Sequence, residues 1–226
     1  MFWNSEEDYY VLNQNGYIAL AVIAVLVLVM IGILRALRKD EPDSSKSPVI
    51  TLTFAGVSIA LAFVLSYVRI YKMPWGGDIT LLSMFFVCFV GYLFGPGTGF
   101  AAAFVYSILQ FIQSGGTYML SPFQVCCDYF LAFTALGASG FFKNKKNGLV
   151  IGYLVAVFLR GVFHTIGGYL YWMDYMPENF PASLGIIYPI AYNYAYLIPE
   201  AVITVIVILL PPVKKALNRI KGMARA

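Results

Sequence analysis

Long apolar runs, each near the length of a membrane span and almost free of charge, constrain this chain more than any other feature. They lie at roughly 17–35, 50–71, 79–95, 97–113, 122–142, 149–172 and 187–211. A helix of about 20 apolar residues crosses the roughly 30 Å of hydrocarbon in a lipid bilayer. Backbone groups in lipid must pair within their own segment, and no stretch alternates as barrel strands do. The runs therefore predict seven transmembrane helices. Composition excludes the rival reading of a soluble domain with a large core. Of the 226 residues, 60% are hydrophobic and 12% are charged, whereas soluble domains carry about 25% charged residues.

The basic residues set the orientation. Arg35, Arg38, Lys39 and Lys46 follow the first run, Lys143, Lys145 and Lys146 follow the fifth, and Lys214, Lys215, Arg219, Lys221 and Arg225 follow the last. With seven spans, all three groups share one side, which the positive-inside rule makes the cytoplasm. The acidic start, "MFWNSEEDYYVLNQNG", is then expected outside. It lacks the basic opening of a signal peptide, so the first run is expected to remain as an anchor. The net charge of +4 comes from these loops and not from one basic face, so no nucleic-acid partner is expected. The polar linker "RALRKDEPDSSKSP" sets the first span apart. Three regions follow: an N-terminal anchor and cytosolic linker at 1–48, a six-helix core at 49–213, and a basic cytosolic tail at 214–226.

The opposite loops are rich in Trp, Tyr, Gly and Pro instead of Lys. Cys88, Cys126 and Cys127 all sit in apolar runs without CxxC spacing. They read as small buried side chains, and neither a metal site nor a cofactor is expected.

One carboxylate stands out. "SPFQVCCDYFLAF", 121–133, carries Asp128 inside an apolar span. An ionised Asp there costs several kcal/mol on insertion scales (about 3) unless something pairs with it. Arg160, the basic residue inside a core span, is one possible partner. A ligand bearing a cation or N–H donors is the other. His164 is the single histidine, and Trp172 follows eight residues later on nearly the same helix face. Tyr188 and Asn193 open the last span, Tyr118 precedes the Asp128 helix, and Trp75 precedes the third span. Each has a plain structural alternative: an interhelical hydrogen bond for His164, the interfacial belt for Trp172, and helix–helix glue for Asn193. Together they describe an outward-facing pocket with aromatic walls, a carboxylate, an imidazole and an amide. Such a pocket suits a flat organic cation. Catalysis fits poorly, because no Ser/His/Asp or Cys/His arrangement and no HExxH are present. The chain also has no Walker A motif, so it is not expected to hydrolyse ATP itself.

The segments "YKMPWGGDITLLSMFF" (71–86) and "YSILQFIQSGGTYMLSPFQVCCDYFLAFTALGASGFF" (106–142) resemble the ThiT/YuaJ family. These are the thiamine-specific S components of energy-coupling factor (ECF) vitamin transporters. The resemblance covers about 50–213 and implies an all-α, six-helix membrane core. S components of this family usually have six helices, so the N-terminal span is a departure. The resemblance implies a thiamine site made by Asp128, Tyr129, Tyr118, His164, Trp172, Tyr188, Asn193 and Trp75. Some members carry Glu where Asp128 stands, which keeps the charge and shortens the reach. It implies that the carboxylate binds the aminopyrimidine while aromatic rings stack on the vitamin. It also implies partners: a transmembrane coupling protein and two ATPase subunits. Gly56 and Ala60 in "FAGVSIALAF" form a small-xxx-small pair for that contact, with ordinary internal packing as the alternative. Two rivals remain: an S component for another vitamin or a thiamine precursor, and a structural membrane subunit whose buried polar groups pair with one another.

Overall fold

The computed structural model describes residues 3–6, 9–12, 47–74, 76–115 and 119–224. The first apolar run, Trp75 and Tyr118 lie outside the described residues. Strands β1 (Trp3–Glu6) and β2 (Tyr9–Leu12) pair as an antiparallel hairpin. Helix α1 (Pro48–Ser66) follows the linker. A second antiparallel hairpin, β3 (Arg69–Lys72) and β4 (Asp78–Thr80), leads into α2 (Ser83–Phe94). Then come α3 (Pro96–Gln113), α4 (Pro122–Phe142), α5 (Gly148–Tyr175), α6 (Tyr188–Leu209) and α7 (Pro211–Met223). Proline stands at the start of α1, α3, α4, α6 and α7, where its missing N–H leaves no internal bond unmade. Ser121 caps α4 by accepting from the Gln124 N–H at 3.1 Å.

The chain is a multi-pass membrane protein of helical architecture. Among the described residues, α1, α4, α5 and the segment Ser183–Leu209 are long and apolar enough to span. Two expected spans need correction. The run at 50–71 ends as helix at Ser66, and its last residues form β3. The run at 79–95 begins as β4 and keeps only a 12-residue helix. At 1.5 Å per residue that helix is about 18 Å long, short of a full crossing. Its sequence is apolar on all sides because α2 sits at the centre, with Met84, Phe85, Val87, Cys88, Phe89, Val90, Leu93 and Phe94 all buried. Small residues let its neighbours come close. A Cβ added at Gly99 would stand 2.7 Å from the Gly91 Cα, and one at Gly137 would stand 2.6 Å from the Phe100 Cα.

The helices share one polar end. The end of α1, the start of α2, the end of α3, the start of α4, the end of α5 and the start of α6 surround a cavity there. The basic Lys143–Lys146 loop joins α4 to α5 at the opposite end. Helix α7 carries most of the tail, and Lys221 is tied back to α2 by a 2.5 Å bond from Nζ to the Tyr92 hydroxyl.

Candidate ligand site

The cavity measures about 360 Å³, within the roughly 300–1,000 Å³ of small-molecule sites. Asp128, Tyr129, His164, Trp172, Tyr188 and Asn193 all line it. The donors on Asp128 come from two helices, Gln124 from one turn earlier in α4 and His164 and Trp172 from α5. Gln124 Nε2 donates to Oδ2 at 2.5 Å, Trp172 Nε1 to Oδ2 at 3.2 Å, and His164 Nδ1 lies 3.3 Å from Oδ1.

Local helix geometry explains how these side chains meet. Asp128 and Tyr129 lie in a π-helical stretch, Cys126–Leu131, inside α4. Trp172 ends another π stretch, Gly168–Trp172, in α5. In an unbroken α-helix, eight residues leave Trp172 about 80° round from His164. A π turn winds less per residue and removes most of that offset. Such bulges cost hydrogen-bond quality and are frequent at functional sites.

Arg160 is not the direct partner of Asp128. Its Nε donates to His164 Nε2 at 3.2 Å, and its guanidinium lies 4.1 Å from the Phe133 ring centroid. Because Nε2 accepts, the imidazole carries its proton on Nδ1 and donates it to Asp128. The histidine thus stands between the guanidinium and the carboxylate. A carboxylate offers about four acceptor positions. Three donors converge on this one, which leaves room for a ligand N–H. Asp78, Asp128 and Glu200 line the cavity together with Arg69, Lys72 and Arg160, so the formal charges balance and the Asp128 carboxylate is the local group that a guest with N–H donors would meet. Nearer the mouth, Arg69 is paired with Asp78 at 3.1 Å.

Asn193 departs from the helix–helix glue considered for it. Its Nδ2 donates to the Pro189 carbonyl at 2.8 Å within α6, and its Oδ1 accepts from the Tyr196 hydroxyl at 3.0 Å. Tyr188 packs against Phe180, with ring centroids 5.1 Å apart, and Tyr129 against Phe111 at 5.7 Å.

Several lining residues escaped the sequence reading. Gln124 holds the carboxylate, and its i, i+4 spacing from Asp128 was a usable signal. Glu200 is a second buried carboxylate, 1% exposed, in the apolar run of α6. Gly167 is a third. A Cβ added there would stand 2.6 Å from Asp128 Oδ1 and 3.2 Å from its Cγ, closer than real side-chain carbons come. Gly167→Ala is expected to push the carboxylate out of register and to weaken ligand binding about tenfold, or about 1.4 kcal/mol. Calorimetric titration of the folded variant checks this.

A family model described as Thiamine transporter protein (Thia_YuaJ) matches residues 52–219. The curated Thiamine transporter ThiT of Bacillus subtilis (strain 168) is 28% identical over 152 residues, which are 62% of this chain and 77% of that protein. A solved structure of ThiT from Listeria monocytogenes overlays with a TM-score of 0.56 at 21% identity. It covers 73% of this chain and 96% of that one, and this likeness shows the fold.

Proposed function

Because the chain belongs to the thiamine transporter protein family across residues 52–219, we propose that it is the thiamine-binding S component of an ATP-driven ECF vitamin transporter. It is a transport protein and not an enzyme, in keeping with the names of its family and relative. The observation that carries the reading is the convergence of Gln124, His164 and Trp172 on the Asp128 carboxylate inside a cavity of ligand size.

In this reading Asp128 accepts from the exocyclic amine of the aminopyrimidine. Trp172, Tyr129 and Tyr188 supply aromatic faces, each worth about 0.5–2 kcal/mol against a thiazolium cation. His164 and Asn193 orient the polar contacts. The cavity faces outward and captures thiamine with high affinity, because the basic loops at the other end stay in the cytoplasm. The N-terminus is then outside and the C-terminus inside. Residues 1–48 form an anchor beside a substrate-binding core at 49–213.

The sequence contains no Walker A motif, and in this reading a coupling protein and two ATPases supply the energy. Gly56 and Ala60 lie on the exposed face of α1, and nothing lies within 4 Å of a Cβ built at Gly56. Packing among the described residues therefore does not account for that pair, which supports its assignment in this reading to the docking of a partner helix.

A thermal-shift panel on the purified protein tests the ligand. Thiamine at about 1,000 times Kd is expected to add about 4 kcal/mol of stability. Riboflavin and the free aminopyrimidine are expected to add far less. Stabilisation by another vitamin and not by thiamine would replace the ligand and keep the fold.

A further inference from the structure

One face of α6 reads along the loop that joins β3 to β4. Tyr192, Tyr196 and Glu200 recur every four residues, so they stack along one side of the helix. The two tyrosines meet the loop, and Glu200 meets the end of β4 and the start of α2. The Tyr192 hydroxyl donates to the Gly76 carbonyl at 3.1 Å. The Tyr196 ring lies against Gly77, where an added Cβ would stand 2.5 Å from Cε1. Gly77 also has φ +84°, so only glycine suits both the conformation and the space. Glu200 accepts from the Thr80 N–H at 2.8 Å, from the Thr80 hydroxyl at 2.8 Å and from the Ser83 hydroxyl at 3.4 Å.

The hairpin has little to hold it by itself. Strands β3 and β4 have four and three residues, and Met73 N–H to the Gly77 carbonyl at 3.0 Å closes the turn. A two-stranded hairpin of this size is marginal alone. Its position must come from what it docks against. Gly76, Gly77 and Thr80 line the cavity, as do Tyr192, Tyr196 and Glu200. A carboxylate this deeply buried is costly unless its bonds are made, and here they are made to the end of β4 and the first residue of α2.

We infer that Glu200 is a positioning residue for ligand binding: with Tyr192 it pins residues 76–80 against α6, so that the loop forms a fixed wall of the cavity. The inference rests on the reading of that cavity as the thiamine site. Glu200 fastens the end nearest α2, and Tyr192 fastens the tip. Asp128, His164 and Trp172 lie on other helices and are untouched by either bond. Loosening the wall should therefore release bound ligand faster without much change in its capture.

Stopped-flow tryptophan fluorescence of the full-length protein with thiamine separates the two rates. Tyr192→Phe removes one neutral hydrogen bond and is expected to speed dissociation about threefold, with association changed less than about twofold. Glu200→Gln keeps an oxygen for the Thr80 N–H but turns an amide NH2 to the Thr80 and Ser83 hydroxyls, exchanging charged hydrogen bonds for weaker neutral ones, and is expected to speed dissociation about tenfold. In both, hydrogen exchange of the amides at 76–80 should rise while that of α2 stays unchanged. Tyr192→Phe keeps the test valid where Glu200→Gln fails to fold. Unchanged dissociation in the folded variants, or faster exchange throughout the protein, overturns the inference. A wild-type protein that does not bind thiamine overturns the functional reading instead.

Discussion

Replacing Asp128 with alanine is expected to weaken thiamine binding at least tenfold. A hydrogen bond to an ionised group contributes about 1.5–3 kcal/mol, and each 1.4 kcal/mol is tenfold in affinity. The carboxylate also holds its own donors in place. Gln124 Nε2, Trp172 Nε1 and His164 Nδ1 all point at it. Its loss removes one of the contacts that hold the Trp172 ring in the aromatic wall. Three buried donors are then left without their acceptor, so the variant should unfold at a lower temperature as well. The two effects separate cleanly: affinity is read by titration of the folded fraction, and stability by thermal unfolding without ligand. Asp128→Asn keeps the shape and one acceptor oxygen. It should fall between wild type and Asp128→Ala. If the structural rival held, Asp128→Ala would lower stability and leave affinity for thiamine untouched.

Replacing both Gly56 and Ala60 with leucine is expected to abolish assembly with the coupling protein and ATPases while thiamine binding persists. The two residues are one helical turn apart, so together they leave a shallow strip where another backbone can approach. Leu52, Val57, Leu61 and Val64 flank the strip and are exposed. Without a hydrophobic drive between helices in lipid, close van der Waals contact is what holds such pairs together. Two leucines would hold the partner helix off by the width of a side chain. Neither substitution reaches the cavity, and a Cβ at Gly56 meets nothing within 4 Å. Co-purification with the coupling module, beside thiamine titration of the isolated variant, reads both outcomes. Loss of thiamine binding as well would mean that the strip packs internally.

The helices were legible because lipid allows few alternatives. An apolar run of span length with no alternation has to be helical, and α4, α5 and α6 follow their runs closely. The hairpin after α1 was not legible. Strands of three and four residues are too short to show a period of two, and Ile70, Tyr71 and Ile79 extend the apolar runs on either side.

The site was legible where polarity was rare. Asp128, His164 and Trp172 stood out against apolar surroundings, and the structure brings them into hydrogen-bond contact. Their meeting across two π stretches was not readable, since periodicity assumes a regular helix. Glu200 could have been found by the rule that singled out Asp128, because it too is a carboxylate in an apolar run. It lies deeper in its helix than Tyr188 and Asn193, away from the outer end where the other polar groups of α6 cluster. Gly167 carries no chemistry of its own, and only the neighbouring Asp128 makes its missing side chain matter.

Titration of the purified protein with thiamine, followed by intrinsic tryptophan fluorescence, tests the central claim most directly. Trp172 lines the cavity and bonds to Asp128, so a ligand there must change its emission. The expected result is saturable quenching at submicromolar thiamine that is lost in Asp128→Ala. A flat titration of the wild-type protein, with no heat of binding by calorimetry, would contradict the assignment of thiamine to this cavity.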